Sequence, residues 1–201
     1  MKHQKTIKGE AKLSGRGLFG GEEAKVVFRP APDDTGVVFI RADVEDSPRV
    51  RAIAPNLTES ARRTTLKKGS ASIDTVEHCL AAVAGLEIDN LFVEVDGPEM
   101  PAPDASAAAY VQVLKRAGLV EQQASRKEFI VREPVAVSTD EASIFALPAE
   151  GSDKGLSITF DLDYAGHTGI GRQTYGCRVT PEIFERNLAP ARTFLLEAEA
   201  R

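Results

Sequence analysis

The chain has 201 residues, of which 42% are hydrophobic and 27% charged, and it carries a net charge of −5. This composition is typical of one or two small globular domains and excludes collagen, a coiled coil and an extended disordered tail. No stretch approaches the roughly 20 apolar residues of a membrane-spanning helix, and the basic N-terminus lacks the apolar segment of a secretory signal. Two cysteines without CxxC spacing and an acidic balance without a dense Lys/Arg block favour a cytoplasmic protein with reduced thiols whose main partner is not nucleic acid.

Alternating apolar and polar residues predict strands through the first half of the chain. The turn at residues 15–21 is rich in glycine, but it follows no strand-to-helix pattern and therefore indicates a hairpin turn rather than a phosphate-binding loop. The predicted strands cover residues 5–13, 24–29, 36–41, 63–66, 71–73 and 91–96.

Two helices interrupt these strands. Asp74 or Thr75 is expected to cap a helix over 76–84 that ends at Gly85, since glycine is typical of a left-handed helix end. A second helix is predicted over 107–117, with Gly118 as its end. Strands and helices in this order predict an α+β fold, with a first unit over residues 1–120.

Residues 121–127 are polar and lack periodicity, which indicates a linker to a second unit over 128–201. Strands are predicted again in that unit, followed by a helix over 180–188 with proline at its first position. The second half thus starts to repeat the first, as in a weak duplication of one α+β unit. The second set of predicted strands covers 128–132, 135–138, 142–147, 156–162 and 173–179.

The last residues, 194–201, are helix formers with no cap and no glycine stop. A second unit that matched the first would still need a return strand and a closing helix. We therefore expect the chain to end before its fold does, with the second unit incomplete.

Glu77 and His78 are the best candidates for chemistry, because a neutral imidazole can bind zinc while an adjacent carboxylate accepts a proton from water. Neighbours on a helix are about 100° apart, so both can face one cleft. Periodicity alone leaves open a solvated glutamate beside a core histidine. His167, in a glycine-rich loop, is expected to bond to backbone, and the Thr193 hydroxyl could donate to an oxyanion if it faces the cleft.

Several short motifs, taken in order, resemble the zinc-dependent UDP-3-O-acyl-N-acetylglucosamine deacetylases of lipid A biosynthesis. Their shared order and spacing between Thr6 and Phe194 make accidental agreement improbable. The motifs are Gly15-Arg16-Gly17-Leu18, Arg29-Pro30-Ala31-Pro32, Thr35-Gly36-Val37, Thr75-Val76-Glu77-His78, Ala84 to Asn90, Pro98-Glu99-Met100-Pro101, Asp104 to Ala107 and Ala191-Arg192-Thr193-Phe194.

The resemblance implies a role for each matching residue. His78 would be one zinc ligand, Glu77 the general base and Thr193 a donor to the tetrahedral oxyanion, while Phe194 would lie near the substrate sugar. The implied reaction removes the N-acetyl group of an acylated UDP-N-acetylglucosamine and releases acetate. The implied fold is a layered sandwich of two tandem α+β units.

The chain also departs from the family pattern. The family's other zinc ligands, in an HKxxDxxGD motif, and a further catalytic histidine follow the Thr-Phe motif and are absent before Arg201, so we expect the 201-residue chain alone to be inactive. Phe19 replaces a histidine that commonly follows Gly-Leu, and Ala105 replaces the usual glycine after Asp104. Two alternatives therefore stay open: a divergent non-catalytic paralogue that binds a sugar nucleotide or acyl chain, and an assembly module that self-associates.

Overall fold

The computed structural model describes residues 2–149, 155–164, 166 and 169–194. They divide into two compact units. One consists of residues up to 126 together with those from 184 onwards, and the other falls within 127–183. Helices and several small sheets occur in the same chain, which confirms the predicted α+β class.

The first unit contains ten strands and two α-helices among the residues that the structure describes. A single helical turn, Ala54–Asn56, precedes β6. The elements are β1 (His3–Ile7), β2 (Ala11–Arg16), β3 (Glu23–Pro30), β4 (Val37–Arg41), β5 (Arg49–Arg51), β6 (Leu57–Thr58), β7 (Thr65–Lys68), β8 (Ala71–Ile73), α1 (Glu77–Gly85), β9 (Leu91–Asp96), α2 (Ala108–Ala117) and β10 (Leu119–Ser125).

A five-stranded sheet in the order β2-β3-β9-β4-β5 forms the base of this unit. Of the neighbouring strand pairs in this sheet, only β4–β9 is parallel. Alternate residues of β3 and β9 are buried, and they pack towards α2, where Tyr110 meets Phe28 edge-on at a ring-centroid distance of 6.1 Å. The core of the unit therefore lies between this sheet and its helices.

Residues 121–127, predicted as a linker, are for the most part strand β10. It pairs with β1 antiparallel, so that Ile7 lies opposite Leu119. Its polar composition misled the prediction, because the polar side chains bond to the protein itself: the Gln122 amide accepts from buried Asn90 at 2.8 Å and donates to the Ala31 carbonyl at 2.9 Å.

The predicted strand over 5–13 is likewise two strands, because the chain turns at Gly9. There the backbone N–H groups of Lys8 and Gly9 donate to the carbonyls of Gly118 and Ala117. β1 consequently joins β10, and β2 joins the five-stranded sheet. The glycine-rich segment between β2 and β3 is a turn, as predicted.

The two predicted helices are confirmed, but only one ends as expected. Gly118 has φ of +77° and ends α2. Gly85 is the last residue of α1 and is not left-handed. Glycine is needed at position 85 because of packing, since a Cβ there would overlap the ring of Phe184.

Among its described residues, the second unit contains two pairs of strands and a short helix. β11 (Val135–Ser138) pairs with β12 (Ser143–Ala146), and β13 (Leu156–Tyr164) pairs with β14 (Gly171–Val179). Residues 128–132, predicted as a strand, have no strand partner in the part of the chain that the structure describes, and Phe129 is 95% exposed.

The predicted helix over 180–188 is a short helix that widens. Thr180 caps α3 (Pro181–Ile183) through its hydroxyl, which accepts the Ile183 N–H at 3.2 Å. A wider π-helical turn follows over Phe184–Leu188. Phe194 is not helical, and the rest of the helix predicted over 194–201 lies outside the described residues. Among the described helices, none has the length and apolar character needed to cross a membrane.

Candidate functional site

Glu77 and His78 are the first two residues of α1. Val76 occupies the cap position, and its side chain makes no capping hydrogen bond. The predicted cap by Asp74 or Thr75 is therefore wrong, because both side chains bond to partners outside the helix. The start of α1 is fixed instead by contacts from neighbouring segments.

The Glu77 carboxylate is anchored on one side. Its Oε2 atom accepts the backbone N–H of Thr64 at 3.0 Å, and no second hydrogen bond reaches the carboxylate within the described ranges. The residue is half-buried. One oxygen thus orients the group while the other can accept a proton, which is the arrangement that a general base requires.

His78 is half-buried, and its Nε2 atom is buried without a hydrogen-bond partner. Leaving a buried polar atom unpaired costs about 1–3 kcal/mol, so such an atom in a native fold calls for an explanation, for which an ion is one candidate. Neutral imidazole nitrogens are common metal ligands. His78 therefore fits the role of one metal ligand.

A complete metal site is not formed by the described residues. Within residues 2–149, 155–164, 166 and 169–194, no group of three His, Cys, Asp or Glu side chains is arranged to hold an ion. A catalytic zinc site normally holds three protein ligands. His167, the other histidine considered from the sequence, lies outside the described residues.

Glu99 connects the start of α1 to the β2–β3 turn. It lies in the loop of residues 97–107 between β9 and α2. Its carboxylate accepts three hydrogen bonds, from the backbone N–H groups of Phe19 at 2.8 Å and Gly20 at 2.7 Å and from the Thr75 hydroxyl at 3.0 Å. The 97–107 loop therefore contacts the residue two positions before Glu77.

Phe19, where the resembling family commonly has a histidine, has no group that could bind a metal or carry a proton. Its ring lies beneath the Arg63 guanidinium, whose carbon is 4.7 Å from the ring centroid. This is a cation–π distance. The contact joins Phe19 to Arg63, the sequence neighbour of Thr64, whose backbone N–H anchors Glu77.

Thr193 is attached to the same loop through its backbone. Its N–H donates to the Ala105 carbonyl at 2.9 Å, and Ala105 itself has φ of +57°, a conformation that glycine adopts more readily. Phe194 is 52% exposed. No hydrogen bond joins Thr193 to Glu77 or His78 in the part of the chain that the structure describes.

Tyr110 lies behind the site and is fully buried. Its hydroxyl donates to the Pro101 carbonyl of the 97–107 loop. Burial raises its pKa well above the usual value, and the nearby groups of Cys79, Glu77 and Glu99 raise it further. Burial also raises the pKa of the Cys79 thiol, so this cysteine is a small buried hydrophobe.

The sequence indicated Glu77 and His78 as candidates, considered Thr75 only as a helix cap, and gave no individual role to Glu99. Glu99 had appeared only as one letter of a matching motif. The one sequence feature connected with Glu99 is the glycine at position 17. In the structure a Cβ at this position would lie 2.7 Å from Cδ of Glu99, so the close approach of the carboxylate requires a glycine there. Nothing in local periodicity relates these two positions, since strands β3 to β9 separate them.

The architecture and this site define the class as an α+β protein with a carboxylate–imidazole pair at the start of a helix. The chain belongs to the family described as UDP-3-O-acyl N-acetylglycosamine deacetylase, or LpxC, whose family model matches residues 4–201.

Individual relatives agree with this assignment. The chain is 39% identical over 191 residues to a UDP-3-O-acyl-N-acetylglucosamine deacetylase of Bdellovibrio bacteriovorus, covering 95% of this chain and 62% of the relative. It is 43% identical over 195 residues to the protein of the same name from Nitratidesulfovibrio vulgaris, covering 96% and 60%. A bifunctional enzyme LpxC/FabZ of Porphyromonas gingivalis is 36% identical over 203 residues, covering 100% and 43%. The chain thus spans about 60% of the length of the first two relatives.

Proposed function

We propose that the protein carrying this chain is a zinc-dependent, cytoplasmic hydrolase that removes the N-acetyl group from UDP-3-O-acyl-N-acetylglucosamine in lipid A biosynthesis. The observation that carries the proposal is the conjunction of family membership with the Glu77–His78 pair, in which one carboxylate oxygen is anchored and a buried imidazole nitrogen is unpaired. Bound zinc would polarise the amide carbonyl and lower the pKa of water.

Four residues of this chain would have separate tasks in that reaction. Nε2 of His78 would supply one ligand to zinc. The Oε1 atom of Glu77 would accept the proton of the attacking water, while Oε2 stays on the Thr64 N–H and keeps the group oriented. The Thr193 hydroxyl would donate to the developing oxyanion, and the Phe194 ring would contact the sugar.

The test is acetate release from UDP-3-O-acyl-N-acetylglucosamine by the complete gene product that contains these 201 residues. We expect Glu77→Gln to lower kcat by about 10²–10⁴-fold, because an amide cannot act as a base. Glu94→Gln is the matched control, since Glu94 is a half-buried carboxylate that bonds instead to Arg29 at 2.9 Å. We expect about one zinc per chain, with loss of the metal in His78→Ala.

Two outcomes would contradict the proposal. Acetate release that is equal in Glu77→Gln and wild type would remove the general base from the mechanism. Tight substrate binding by wild type without zinc and without acetate release would favour the non-catalytic paralogue.

A further inference from the structure

Thr75 has a backbone conformation that its residue type rarely adopts. Its φ is +59°, in the left-handed region, which is strongly disfavoured for a β-branched side chain. It is also buried, with 1% exposure. Such a conformation persists only when the surroundings impose it, and it occurs preferentially at functional sites.

The contact that holds the Thr75 side chain comes from Glu99. The Thr75 hydroxyl donates to Oε1 of Glu99 at 3.0 Å. The Glu99 backbone is itself secured against the same segment, because the Asp74 N–H donates to the Pro98 carbonyl at 2.8 Å and the Met100 N–H to the Asp74 carbonyl at 3.0 Å. Residues 74 and 75 are thus held by both the backbone and the side chain of the 97–107 loop.

The other side of the Glu99 carboxylate is equally constrained. The Phe19 and Gly20 N–H groups bond to it, and the backbone of Gly17 lies so close that a Cβ there would be 2.7 Å from Cδ of Glu99. A carboxylate that accepts three donors against a glycine has little freedom to move. It can therefore hold Thr75 in a fixed position.

The residues after Thr75 are held by a different segment, since the Val76 N–H donates to the Thr64 carbonyl at 3.3 Å and the Glu77 carboxylate accepts the Thr64 N–H at 3.0 Å. Val76 makes no side-chain cap, and Glu77 and His78 follow directly as the first turn of α1. The dihedral angles of Thr75 set the direction in which this turn leaves β8, and the Thr64 contacts hold the turn from its other side, so both contribute to the positions of the carboxylate and the imidazole.

We propose that Glu99 is a positioning residue for the Glu77–His78 pair, acting through its hydrogen bond to Thr75. The inference rests on the proposed function for its consequence in catalysis, whereas its structural part concerns only this chain. A carboxylate suits this position because Oε1 faces the Phe19 N–H and Oε2 faces the Gly20 N–H, so the amide nitrogen of a glutamine would oppose one backbone donor in either orientation.

The kinetic arm of the test compares Glu99→Gln with Glu94→Gln in the complete gene product. We expect Glu99→Gln to lower kcat by about 10- to 100-fold with KM within about twofold and zinc content unchanged, because small displacements of catalytic groups reduce turnover strongly. Glu94→Gln should match wild type. Equal kcat in the two variants would overturn the proposal.

The spectroscopic arm uses the isotope-labelled 201-residue chain and follows the amide signals of Glu77 and His78 and the ring ¹³Cε1 signal of His78. Thr75→Val replaces the hydroxyl by a methyl group and should shift these signals, as should Glu99→Gln, while Thr75→Ser should leave them near wild type. If Glu99→Gln does not fold, the Thr75 variants still test the role of Glu99. If wild type releases no acetate, the proposed function is refuted, and the spectra still test the positioning role. Signals that are unchanged in Thr75→Val, or shifted equally in Thr75→Ser, would overturn the role of Glu99.

Discussion

The two units of the chain have similar alternating sequences, but their apolar side chains differ in burial. In the first unit, alternate residues of β3 and β9 are buried, and the largest fully buried side chains of the unit include Phe28, Phe39 and Tyr110. In the second unit, large apolar side chains of the strands are exposed: Ile144 by 70% and Phe160 by 60%.

The difference lies in what covers each sheet. In the first unit, helix α2 packs on the five-stranded sheet and encloses an apolar layer. The second unit has two separate two-stranded hairpins among the described residues, and such hairpins are at best marginally stable by themselves. Alternation in a sequence therefore predicts a strand, but the stability gained from it depends on a second layer.

Truncating one phenylalanine in each unit tests this comparison directly. Phe28→Ala should lower the free energy of unfolding by about 3–5 kcal/mol, because it empties a fully buried site against Tyr110. Phe160→Ala should change it by no more than about 0.5 kcal/mol, since the ring is 60% exposed. The measurement is denaturant unfolding followed by circular dichroism.

The outcome that would break the comparison is a loss of similar size in both variants. Phe160 would then be buried by some partner in solution, and an association that depends on protein concentration would accompany it. Sedimentation velocity at several concentrations separates that case from a simple error about the core of the first unit.

Local sequence patterns predicted most elements but not their partners. The strand over 24–29, the helix over 76–84 and the end of α2 at Gly118 follow from alternation, apolar spacing and a left-handed glycine. Strand β10 was missed because its polar residues suggested a linker. The Gln122 side chain bonds inside the fold, and its partner Asn90 lies 32 residues away in sequence.

The site shows the same division. Glu77 and His78 could be proposed from the sequence because adjacent residues and a family motif are visible in it. Their anchors were not, because Thr64 contributes only a backbone N–H and Glu99 acts across the fold. A backbone donor has no sequence signature, and the left-handed conformation of Thr75 contradicts its residue type.

Gly85→Ala sharpens the comparison at the place where the chain returns to the first unit. Alanine favours a helix over glycine by up to about 1 kcal/mol, so helix propensity alone predicts stabilisation. The added Cβ would overlap the Phe184 ring, and overpacking typically costs about 1–3 kcal/mol. We expect a net loss of stability, measured by thermal unfolding.

Phe184→Ala provides the background that isolates this contact. Without the ring, Gly85→Ala should become neutral or stabilising, because only the propensity difference remains. A stabilising effect of Gly85→Ala in wild type would show that Phe184 does not pack on α1, and the segment over 184–189 would then not belong to the core of the first unit.

The smallest expected effect concerns acid stability and compares one ion pair cluster from each unit. In the first unit, hydrogen bonds from Lys2 and then Lys5 lower the pKa of Glu87 from 4.5 to about 2, and Arg126 lies 3.3 Å away. In the second unit, hydrogen bonds from Arg172 and Thr174 lower the pKa of Asp161, which is on the surface.

Because the folded pKa of Glu87 is below its unfolded value, its contribution is complete above about pH 4.5 and is lost as the pH falls towards 2. The contribution is below about 1 kcal/mol, since the cluster lies near solvent and is screened by salt. Thermal unfolding between pH 6 and pH 2.5 should therefore show a shallower acid decline in Glu87→Gln than in wild type, while Asp161→Asn should follow wild type closely. A larger change in Asp161→Asn would mean that the hairpin of β13 and β14 contributes more to folding than its exposed side chains indicate.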